Sequence, residues 1–91
     1  MEGMIAEVLI NRNKNGLIEV SVLRKGMSSG AVQTYPTTEE AKATLAALGF
    51  PEALINERIR ALWQAPVDGL LRFPESEIQD EILRSHGFKA A

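Results

Sequence analysis

His86 is the only histidine in the chain, and there is no cysteine. An imidazole that works as a general base needs a nucleophile to deprotonate or a carboxylate to orient it. The acids nearest to it, Asp80 and Glu81, precede it by six and five residues. Neither has the three- or four-residue spacing that brings helical side chains together. His86 therefore reads as a residue of a helix C-terminus, where its protonated form complements the dipole. Without cysteine there is no thiolate nucleophile, no disulfide framework and no thiolate metal site.

The carboxylates do not assemble a metal site either. Glu75, Glu77, Asp80 and Glu81 are close in sequence, but no His-x-x-x-His pair accompanies them, and no run alternates oxygen ligands around a glycine as a hard-cation loop requires. Glu75 and Glu77 read instead as favourable charges at a helix start. A phosphate cradle needs a glycine-rich loop feeding a helix. The one glycine-bracketed loop, Gly26-Met27-Ser28-Ser29-Gly30, joins two expected strands and lacks a Gly-Lys-Ser/Thr ending. No metal and no cofactor is expected.

Basic residues offer one further chemistry. Arg12, Lys14, Arg24 and Lys25 give residues 1–34 a net charge of +1, whereas residues 35–91 sum to -3. Phosphate binding depends on several Lys or Arg contacts in one place. Here Arg12 and Arg24 fall at opposite ends of the expected sheet. A helix-turn-helix reading of the first two helices would present Glu52 and Glu57 to the phosphates, which opposes binding. A nucleic-acid-associated regulator using Arg12, Lys14, Arg24 and Lys25 is the second reading, not the favoured one.

The elements that position these residues follow from periodicity. Met4, Ala6, Val8 and Ile10 alternate with Glu7 on the opposite face, a strand pattern. Ile18, Val20 and Val22 repeat it after Asn13-Lys14-Asn15-Gly16, a hairpin signal. A two-residue loop would set Ile10 against Ser21 and put apolar on polar. A three-residue loop over Lys14-Asn15-Gly16 sets Ile10 opposite Val20, Val8 opposite Val22 and Arg24 opposite Ala6. Because a one-residue slip inverts every side chain, the three-residue loop is expected, with Gly16 left-handed. Ala31 to Tyr35 is a third strand.

Thr37 with Glu40 forms a capping box for a first helix that buries Ala41, Leu45 and Leu48 and stops at Gly49-Phe50. Pro51 suits the first position of a second helix running to about Gln64, with Ile55, Ile59, Leu62 and Trp63 inward. Leu70 to Phe73 is a candidate short strand. Ser76 with Gln79 suggests a capping box for a third helix that buries Ile78, Ile82 and Leu83 and stops at Gly87-Phe88. The two Gly-Phe endings share no wider repeat.

The expected fold is α+β: a three-stranded antiparallel meander followed by three α-helices, in a single domain spanning residues 1–91. With 91 residues and 45% hydrophobic content, the chain suits one globular core. Its start, Met1-Glu2-Gly3-Met4-Ile5-Ala6-Glu7, is acidic and interrupted, unlike a secretory leader, and no stretch approaches the roughly 18 apolar residues of a membrane span. A cytoplasmic location without membrane contact is expected.

Apolar residues are left on the outer strand faces. Ile5 and Leu9 share a face with Glu7, Leu17 and Leu23 share one with Glu19, and Leu70, Leu71 and Phe73 add a further run. Three helices can cover only part of a two-faced sheet, so the second face either receives the third helix or meets a partner. The favoured expectation is a small non-catalytic interaction module, docking itself or another protein through Ile5, Leu9, Leu17, Leu23, Leu70, Leu71 and Phe73. A third reading is a ligand-binding or enzymatic domain whose site, with His86 or the Asp80–Glu81 pair, is completed across a dimer.

Overall fold

The turn at Asn13–Gly16 fixes the frame of the molecule. In the computed structural model, which describes residues 3–26 and 30–88, it joins strand β1 (Gly3–Arg12) to strand β2 (Ile18–Arg24). Ile10 pairs with Val20, Val8 with Val22 and Ala6 with Arg24, the register of the three-residue loop. Asn13 N–H donates to the Leu17 carbonyl at 2.9 Å, and Gly16 has a φ of 81°. The apolar pattern wins because the alternative would turn every Val and Ile away from the core.

Strand β3 (Ala31–Tyr35) pairs antiparallel with β2 and completes the meander. Residues 27–29 of the glycine-serine connection lie outside the described residues. Helix α1 (Thr38–Ala47) then starts as its cap requires: Thr37 Oγ1 accepts from the Glu40 N–H at 3.2 Å and donates to the Glu40 carboxylate at 3.0 Å. Ala41, Leu45 and Leu48 are buried, as is Thr44. At its end Gly49 N–H bonds the Ala46 carbonyl and Phe50 N–H the Leu45 carbonyl, a Schellman stop with Gly49 at a φ of 103°. Helix α2 (Glu52–Gln64) buries Ile55, Ile59 and Leu62.

Two expectations for α2 need correction. Pro51 is the extended N-cap rather than the first helical residue. Trp63 is half-exposed rather than in the core, because the stripe through Ile55, Ile59 and Leu62 already meets the sheet. The indole instead lies beneath the Arg12 guanidinium, 5.5 Å from its carbon to the ring centre.

The larger correction concerns residues 76–79. The sheet has five strands among the described residues: the three of the meander, the short strand expected within 70–73, and a fifth that the sequence reading assigns to a helix. Strand β4 (Leu71–Arg72) pairs with the middle of β1, and strand β5 (Ser76–Gln79) pairs with its beginning. Ser76 and Gln79 are therefore the ends of a strand and not a capping box. Ile78 is buried from β5, beside Met4, rather than from a helix. The cause is tertiary: β1 is ten residues long, and β2 satisfies only one of its edges. Helix α3 (Asp80–Ser85) is correspondingly short, and its first-turn acids are Asp80 and Glu81 rather than Glu75 and Glu77. It ends as α1 does, with Gly87 N–H on the Arg84 carbonyl and Phe88 N–H on the Leu83 carbonyl.

All three helices lie on one side. Leu45 of α1 and Leu48 at its C-cap, Ile55, Ile59 and Leu62 of α2, and Leu83 of α3 join Ala6, Val8, Ile10, Ile18, Val20 and Val22 in one hydrophobic cluster. The third helix does not wrap to the second face. The architecture is α+β, with an antiparallel sheet covered on one face by three helices. Among the described residues, no helix is long and apolar enough to cross a membrane.

Candidate functional site

The face of the sheet opposite the helices is built from the alternate strand residues. Side chains on a strand point to opposite faces in turn. Val8 and Ile10 lie in the core, so Ile5, Glu7, Leu9 and Asn11 of β1 share the other face. The pairing extends that face to Glu19, Ser21 and Leu23 on β2, Val32 and Thr34 on β3, Arg72 on β4 and Glu77 on β5.

Apolar and polar residues alternate across this surface. Leu9 sits between Arg72 and Ser21, and Val32 lies beyond Ser21. Arg72 Nη1 reaches Glu7 Oε2 at 3.3 Å across the neighbouring row, and Leu9 beside them is only 9% exposed. Ile5 and Val32, at 42% and 51%, are the large apolar side chains that remain open on this face. Leu23 is half-buried opposite Glu7. At the hairpin end, Asn11 Nδ2 and Asn13 Nδ2 each donate to the Glu19 carboxylate at 3.1 Å. That network fixes the end of the face and uses the carboxylate internally.

The other expected interface residues are dispersed. Leu17 is half-buried just before β2, held by Asn13. Leu70 is 61% exposed, next to β4. Leu71 pairs with Ile10 and packs on the core. Phe73 is 2% exposed, its ring 4.6 Å from that of Phe50, and it is out of reach from the surface. Val32 was missing from the expected set, although its place opposite Ser21 follows from continuing the hairpin's alternation into the third strand. Trp63 and Val67 are also exposed.

The four basic residues do not converge. Arg12 donates to the Ala65 carbonyl at 2.8 Å while covering Trp63. Arg24 lies on the core face, buried, with Nη2 3.0 Å from Asp80 Oδ1. The two atoms are close but poorly aligned for a hydrogen bond, so the contact is an ion pair. Lys14 and Lys25 are exposed at opposite ends of β2.

His86 caps α3, its N–H shared between the Ile82 and Leu83 carbonyls. Asp80 at the start of the same helix is committed to Arg24. A shallow groove runs beside α3 over Gln79, Glu81, Ile82 and Ser85. Among the described residues, no group of three or more potential metal-ligating side chains is gathered. Comparison of the chain with protein-family models, with curated proteins and with solved structures found no match.

Proposed function

We propose that this chain is a small non-catalytic interaction module that associates with itself or docks another protein through its sheet, in the cytoplasm. One observation carries the reading: all three helices pack on one face of the sheet, and the other face carries no helix, with Ile5 and Val32 open on it. A sheet face that presents apolar side chains to water is stabilised by being covered. The rows of Glu7, Ser21, Glu19 and Arg72 between the apolar positions suit a reversible contact, since polar rims keep the uncovered face soluble.

The nucleic-acid reading draws less support from the geometry. Arg24 is occupied by Asp80, and Arg12 by Ala65 and Trp63, so two of its four cations are already engaged. Light scattering coupled to size exclusion tests the favoured reading. The expected result is a mass above that of the 10.0 kDa chain, rising with concentration, or a stable partner that co-purifies. A strict monomer at high concentration, with no partner recovered from lysate, would overturn it.

A further inference from the structure

The two edges of the sheet are built differently. One edge is divided between β4 and β5, two and four residues long, with Pro74 between them and Arg72, Glu75 and Glu77 along it. Short strands, charge and proline keep a sheet edge from pairing with another chain. The other edge is β3, five residues long and undivided. Ala31-Val32-Gln33-Thr34-Tyr35 contains no charge and no proline, and Val32 and Thr34 are exposed. Among the described residues, no backbone group bonds β3 on the side away from β2.

The free row of donors and acceptors along such a strand is complementary to an antiparallel copy of itself. A second copy also brings no charge against β3, because β3 has none to oppose. If side-chain faces are to match and all five residues are to pair, the two-fold axis must pass through Gln33. Val32 then lies opposite Thr34 of the partner subunit. We propose that β3 pairs with β3 of a second copy about this axis and joins the two sheets edge to edge. The proposal rests on the self-association reading above and places the contact between copies at the β3 edge of the sheet, with the helix-free face left open beside it. The two helix-free faces become one continuous surface. Five residues a side form a contact smaller than the roughly 1,200–2,000 Å² of stable complexes, so the dimer is weak and reversible.

Charge placement tests the register. In this pairing V32K/T34K sets lysine opposite lysine twice, whereas V32K/T34E sets lysine opposite glutamate twice. Sedimentation equilibrium should show dimerisation weakened about tenfold by V32K/T34K and returned to within about threefold of wild type by V32K/T34E. Both positions are exposed, so circular dichroism and thermal midpoints should match wild type. Q33C, in an otherwise cysteine-free chain, should be trapped as a disulfide dimer under mild oxidation. Facing residues lie about 4.5–5.5 Å apart at Cα, within disulfide reach. T34C, two residues out of register with itself across the axis, should be trapped far less. A wild-type dimer that V32K/T34K leaves intact and Q33C does not trap overturns β3 pairing while self-association stands. A wild-type chain monomeric up to millimolar concentration overturns both.

Discussion

Arg24 at the end of β2 and Asp80 at the start of α3 meet as an ion pair, Nη2 to Oδ1 at 3.0 Å, beneath the helix side of the sheet. Arg24 and Ser76 both lie beside Ala6, one on each side of β1, and the small methyl between them leaves room for the guanidinium to reach α3. The contact ties the hairpin to the last helix and takes Arg24 out of any surface role.

The pair should respond asymmetrically to mutation. Arg24 is almost wholly buried and Asp80 is about a quarter exposed. Asp80→Asn leaves a buried cation without its counter-charge and should cost about 2–3 kcal/mol in urea unfolding. Arg24→Met removes the buried charge itself, leaves Asp80 partly hydrated, and should cost less. Adding Arg24→Met to Asp80→Asn should recover part of the loss.

The two glycine stops should also differ. Gly49 and Gly87 both have positive φ, and an alanine at either strains the backbone by about 1–2 kcal/mol. A Cβ at Gly49 meets open space, while one at Gly87 falls 2.9 Å from Gln33 Nε2, whose amide donates to the Gly87 carbonyl. Thermal unfolding should therefore show G87A lower in midpoint than G49A.

Asn13 serves the hairpin through both ends of its amide. Its Oδ1 accepts from the Asn15 and Leu17 N–H groups at 2.9 and 3.0 Å, and its Nδ2 donates to Glu19. Asn13→Ala should destabilise by about 1–2 kcal/mol. Asn13→Asp keeps the accepting oxygen but sets a second carboxylate against Glu19, and should fall between wild type and alanine in chemical denaturation.

Much of this architecture can be read in the residues themselves. The β1–β2 register follows from matching Val8 and Ile10 to Val22 and Val20, and the helix ends follow from Thr37, Gly49-Phe50 and Gly87-Phe88, because each of these signals is local. β5 is not legible in the same way. Ser76-Glu77-Ile78-Gln79 satisfies a helix cap and a four-residue strand equally well, and the deciding factor is the unpaired edge of β1, far away in sequence. The expected surface set fails at Leu71 and Phe73 for a related reason. That segment turns inward to pair with β1, so hydrophobicity alone could not separate its exposed Leu70 from its buried Phe73.

Phe73 and Leu70 should accordingly differ in their effect on stability. Phe73→Ala removes a buried ring stacked near Phe50 and should cost about 3–5 kcal/mol of unfolding free energy. Leu70→Ala should change stability by no more than about 0.5 kcal/mol, since the side chain is largely in solvent.

Amide hydrogen exchange followed across a concentration series tests most directly whether chains meet at the β3 edge of the sheet. The β3 amides that point away from β2 should exchange as free edge groups in dilute solution and gain protection as concentration rises, while α1 and α2 amides stay unchanged. Exchange from those β3 amides at the free-edge rate at every concentration would contradict it.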